Sequence, residues 1–81
     1  MKYSFKNLNF VHGGKDHLAS GEATYTVYDS IDEFDASFDD VYLIEVLSPK
    51  GWVKKEELKD YKDSVLESMN RNENLLRSLA I

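Results

Sequence analysis

Tyr3 and Phe5 alternate with polar residues, the phase slips at Asn7, and Leu8 and Phe10 carry the pattern on the other parity. This predicts a strand with a bulge or bend near Asn7. The segment His12-Gly13-Gly14-Lys15-Asp16-His17 is rich in turn residues and should end that strand. From Gly21 to Tyr28, Ala23, Tyr25 and Val27 alternate with Glu22, Thr24 and Thr26, and β-branched and aromatic side chains dominate. That is the clearest strand in the chain. Val41 to Leu47 is apolar except for Glu45, which predicts a central strand covered on both faces, closed by the turn chemistry of Ser48-Pro49-Lys50-Gly51.

From Lys54 the period changes. Leu58, Tyr61, Val65 and Met69 recur at spacings of three and four, with charges opposite them, the pattern of an amphipathic helix. Asn70, Asn72 and Asn74 interrupt it with poor helix formers before Leu75, Leu76, Leu79 and Ile81 resume an apolar stripe. Either one long helix continues through a weak middle or a second short helix starts near Asn72. Between the second and third strands, Ser30-Ile31-Asp32-Glu33 has the form of a capping box. It predicts a helical turn or two over residues 31–38, burying Ile31, Phe34 and Phe38.

The expected fold is α+β, one domain over residues 1–81. A three-stranded, mainly antiparallel sheet is packed by a C-terminal helix in the order β-β-β-α. One helix covers one side of a sheet, so a face is left over. Val41, Leu43 and Leu47 should lie opposite Tyr42, Ile44 and Val46. The stripe Leu75, Leu76, Leu79 and Ile81 either covers the spare face or forms an oligomer interface. A domain this short buries only about 60–65% of the surface its unfolded chain exposes, so self-association would add useful burial.

Composition narrows the function classes. With no cysteine in its 81 residues, the chain can have neither a disulfide nor a thiolate metal site nor a cysteine nucleophile, which fits a reducing compartment. The start Met-Lys-Tyr-Ser lacks the apolar run of a signal peptide, and the longest apolar runs, such as Val41–Ile44, fall far below the roughly 18–20 residues of a membrane span. The expectation is a soluble, cytoplasmic protein. The net charge is −5, and Lys50, Lys54, Lys55, Lys59 and Lys62 are interleaved with Glu56, Glu57, Asp60 and Asp63. Direct nucleic-acid binding, which needs clustered cations, is not expected.

Candidate chemistry is sparse. His12, His17 and Asp16 sit in a glycine turn without the converging spacing of a metal site, and they read as a plain exposed turn. Gly13-Gly14-Lys15 lacks the phosphate-loop spacing. Ser20 and Ser48 have no nucleophile-elbow context. Neither an enzyme nor a cofactor is expected, and the acidic segment lacks the glycine and ligand order of a calcium loop. Trp52 follows Pro49-Lys50-Gly51 and reads first as a seal at the edge of the core, second as an interface anchor.

The strongest feature is electrostatic. Asp29, Asp32, Glu33, Asp35, Asp39 and Asp40 put six carboxylates and no basic residue into residues 29–40, with Phe34 and Phe38 among them. Such a segment can engage a basic surface on another protein, the charges giving association rate and the aromatics affinity. In layout, Gly21–Tyr28, the acidic spacer, Tyr42–Leu47 and Trp52–Leu58 resemble small bacteriophage early proteins, over roughly residues 21–69. The resemblance implies a phage-encoded inhibitor or modulator of a host protein, acting in the host cytoplasm by binding. The expected function is therefore a small acidic protein-binding module working through residues 29–40. The alternative is a homo-oligomeric structural or assembly subunit held by the spare sheet face and the C-terminal leucines.

Overall fold

The computed structural model of the chain describes residues 1–29 and 34–80. The fold is α+β, with four antiparallel strands in the order β1-β2-β3-β4 followed by three helical segments. β1 (Lys2–His12) and β2 (Lys15–Asp29) are joined by Gly13-Gly14, both at positive φ, 60° and 75°. This is a two-residue hairpin turn of the kind that glycine adopts at no steric cost. The turn takes two residues rather than the expected six, so β2 begins at Lys15 instead of Gly21.

The irregularity expected at Asn7 is present. Phe5 pairs with Gly21 and Leu8 with Ala19, leaving Lys6 and Asn7 opposite Ser20. Asn7 has φ 53° and donates its N–H to Ser20 Oγ at 3.0 Å.

β3 (Phe34–Ser48) departs most from the sequence reading. Its first residues are a strand, where a helical turn was expected up to Phe38. The capping box at 30–33, with Ile31, Asp32 and Glu33, lies outside the described residues. The reason is already written in the chain: Phe34, Ala36 and Phe38 alternate with Asp35, Ser37 and Asp39, a period of two. Ala36 pairs with Val27 and Phe38 with Tyr25. Two residues of β3, Asp39 and Ile44, have no partner on β2, and each such bulge flips the parity of the strand beyond it. Val46 therefore joins Val41 and Leu43 inside, while Leu47 lies on the other face with Tyr42 and Ile44, correcting the expected sorting. β3 is covered on one face, not two. A short fourth strand, β4 (Gly51–Trp52), pairs with Leu47 and Ser48.

The core lies on the inner face. Phe5 and Phe10 from β1, Ala19 and Ala23 from β2, and Phe38, Val41, Leu43 and Val46 from β3 cluster with Leu58, Val65 and Met69. The central strand contributes small residues, so the larger chains of its neighbours and of the helices close over it at interior density. Gly21 is obligatory there, because a Cβ at that position would stand 2.1 Å from the Tyr42 carbonyl oxygen.

A 3-10 helix (Lys55–Tyr61) runs directly into α1 (Lys62–Arg71), and α2 (Glu73–Ala80) follows. Asn72 makes the break. Its N–H donates to Met69 O, ending α1, and its Oδ1 accepts from Leu75 N at 3.2 Å, capping α2. The second short helix near Asn72 is thus present. Leu75, Leu76 and Leu79 pack against the inner core, so they extend the helical layer and leave the opposite face bare. Ile81 lies outside the described residues. No helix among them is long and apolar enough to cross a membrane.

Candidate functional site

The helix-free face of the sheet is set by strand parity. Asn9, Leu18, Leu47 and Trp52 pair in one row across all four strands. Trp52 (64% exposed), Tyr42 (68%), Ile44 (61%) and Val11 (54%) stand on this side, with Leu18 and Leu47 half-buried between them. Every core-forming helical side chain packs on the other side. Trp52 is therefore no seal on the core. Gly51, at φ 119°, turns the chain so that β4 pairs with β3 and the indole projects from the sheet.

Carboxylates dominate the border of this apolar row, with Lys2 among them beside Tyr42. Asp16, Glu22 and Glu45 are exposed and share the outward parity of Leu18 and Leu47. Asp39, the bulged residue, faces the same way, because its Oδ2 accepts from the hydroxyl of outward-facing Thr26 at 2.7 Å. A depression of about 280 Å³ beside Tyr42 is lined by Lys2, Glu22, Thr24 and Asp40, among others.

The expected 29–40 site is split by the fold. Phe38 is 3% exposed and belongs to the core, packed between Tyr3 and Tyr25, so it offers no contact surface. Asn70 of α1 clamps its backbone: the Phe38 N–H donates to Asn70 Oδ1 at 2.7 Å, and Asn70 Nδ2 donates to Phe38 O at 3.1 Å. Asp40 turns to the helices, where it bridges Lys62 at 2.7 Å and accepts the Val41 N–H at 2.9 Å. The Lys62 hydrogen bond, reinforced by that N–H, holds the Asp40 carboxyl below its ordinary value of 3.8. Asp29, Phe34 and Asp35 are described as strand backbone only, and Asp32 and Glu33 not at all. Of the segment's acids, Asp39 stands on the open face and Asp40 borders it at the β3 edge, where Lys62 holds its charge.

The two histidines do not sit in an exposed turn. His17 is 6% exposed, its Nδ1–H donating to Lys15 O at 2.8 Å. His12 Nδ1 shares a 2.7 Å hydrogen bond with Ser64 Oγ on α1. Both rings pack against Tyr61, and His17 also against Phe10, so the cluster fastens the hairpin tip to the helices. A histidine–serine hydrogen bond is one part of a nucleophilic apparatus, but such an apparatus also needs a group to orient the imidazole. Among the described residues no carboxylate hydrogen-bonds to either ring, and no group of three or more histidines or acids is placed to hold a metal. Ser20 and Ser48 are engaged at the β1 bulge and the β3–β4 turn, away from both histidines.

The sequence reading put Tyr42 and Ile44 on one face but did not join Val11 and Trp52 to them, because that depends on the register of β1 and on the short β4, while the bulge at Ile44 exchanged Val46 and Leu47. Glu45 was the available signal, since an acid in an apolar run marks an outward position. Compared with protein-family models, curated proteins and solved structures, the chain matches none.

Proposed function

We propose that this chain is a non-enzymatic protein-binding module whose contact surface is the helix-free face of its sheet. The observation that carries the reading is the gathering of Trp52, Tyr42, Ile44 and Val11 on one bare face within a border of Asp16, Glu22, Asp39 and Glu45. Exposed aromatic anchors within a polar rim are the anatomy of a binding site, and a carboxylate rim favours a partner with a basic surface. The resemblance of the sequence layout to small phage early proteins makes a host protein the proposed target and inhibition or redirection the proposed effect.

Trp52 is the single tryptophan, so its fluorescence reports on this face directly. Affinity capture from source-cell lysate, repeated with Trp52→Ser/Ile44→Ser, tests the reading. A captured protein that is lost with the variant, weakened by salt and able to shift Trp52 emission to the blue supports it. Capture unchanged in the variant refutes it.

A second reading uses the same face. The apolar row Leu18–Leu47–Trp52 crosses the sheet, and a two-fold copy laid on it would bury that row twice, making a homodimer. Sedimentation equilibrium decides between the two: a dimer that dissociates in Trp52→Ser favours self-assembly, and a monomer at high concentration favours a foreign partner.

A further inference from the structure

The edge of β3 is open along its middle. β4 covers only Leu47 and Ser48, Val53 N–H donates to Val46 O, and Asn70 caps Phe38. The Tyr42 carbonyl lies against Gly21 and so points into the sheet. Backbone groups alternate along a strand, so the N–H and C=O of Leu43 point away from β2, toward the 3-10 helix. Among the described residues no backbone group of β4 or the helices bonds to them. Unpaired strand edges of this kind accept an added strand.

That edge borders a groove of about 250 Å³ lined by Val41, Tyr42, Leu43 and Leu58 with Lys55, Lys59 and Lys62. Three cations and no carboxylate line it, in a chain whose net charge is −5. Lys62 is held by Asp40 at one end, whereas Lys55 and Lys59 make no ion pair among the described residues. Both line the groove, while Glu56, Glu57 and Asp60 of the same 3-10 segment fall outside the lining.

We propose that this groove captures an extended acidic peptide segment of another protein as an added strand. Its backbone would pair with Leu43, an apolar side chain would fill the space over Val41 and Leu58, and flanking carboxylates would meet Lys55 and Lys59. A second copy of this chain is disfavoured, because edge-to-edge pairing would bring its own three lysines against these. Nucleic acid is disfavoured by the aliphatic floor and by the small number of cations. The groove shares Tyr42 with the helix-free face, but its lysines, Val41, Leu43 and Leu58 lie apart from Val11, Ile44 and Trp52, so either can fail without the other.

The test titrates ¹⁵N-labelled protein with the peptide acetyl-Glu-Ile-Glu-Val-Glu-amide, its Gln-for-Glu counterpart and a short poly-dT. The expected result is saturable shifts at the Leu43 and Val41 amides with the acidic peptide, at least tenfold weaker binding by the Gln peptide, and at least tenfold loss in Lys55→Gln/Lys59→Gln. Those substitutions are on exposed side chains and leave the fold intact, which the variant's own spectrum verifies. Equal binding of both peptides, tighter binding of poly-dT, or shifts confined to Val11 and Trp52 on the other face would overturn the proposal. So would concentration-dependent shifts at Leu43 without peptide, which would assign the edge to a second copy. No binding at all would leave the lysines as guards of the edge against pairing and equally overturn it.

Discussion

Asn70 does at one residue what a neighbouring strand does elsewhere, satisfying both backbone groups of Phe38 from a helix. Its sequence signal pointed the other way, since an asparagine near a helix end reads as a poor helix former, and its partner lies 32 residues off. Asn70→Ala leaves a part-buried N–H and C=O without partners and should cost about 1–2 kcal/mol, read as a lower urea midpoint with an unchanged slope. Asp40 gives a pH signature. Its carboxyl is held below 3.8 in the folded chain, so its ion pair stabilises above that pH and is lost as pH falls through the folded value. Asp40→Asn keeps an acceptor for the Val41 N–H but removes the charge. The variant should melt slightly below wild type at about pH 7, and the two melting curves should converge as pH falls below the folded value of Asp40. A gap that persists there would mean that Asp40 acts by shape rather than charge.

At the scale of elements, regular periodicity was legible and phase was not. The alternation in β2 survives, and Leu58, Val65 and Met69, seven and four residues apart, stay on the buried side although residues 55–61 wind as a 3-10 helix. In β3 a capping-box pattern competed with an alternation of period two, and the alternation prevailed because Phe38 and Ala36 are paired across to β2 and buried. Bulges at Asp39 and Ile44 leave no composition signal, since they depend on how two strands of unequal content meet. The β1–β2 hairpin is the element whose local chemistry is easiest to alter. Gly13 has φ 60° and an added Cβ would meet nothing within 4 Å. Gly13→Asn tolerates that conformation and reduces the freedom of the unfolded chain, so it should raise stability by about 0.5 kcal/mol. Gly13→Val should lower it by about 1 kcal/mol or more, because a β-branched residue resists positive φ. Thermal melts of the two variants should fall on opposite sides of wild type.

The whole molecule is long and thin, 46 × 22 × 17 Å, because strands of fifteen residues carry a single helical layer. Such a shape has one buried face and one open face, and this division separates aromatics that sequence alone could not sort. Phe38, read as a binding residue, lies inside; Trp52, read as a core seal, lies outside. Their stability costs should differ accordingly. Phe38→Ala removes a buried ring from a small core and should cost about 3–5 kcal/mol, enough to unfold much of a domain whose total stability is on the order of 5 kcal/mol. Trp52→Ser should cost less than about 1 kcal/mol, since its side chain is already in water. Chemical denaturation of the two variants side by side tests this. Comparable losses would mean that something covers the open face in solution, and the dependence of the Trp52→Ser loss on protein concentration would identify that cover as a second copy.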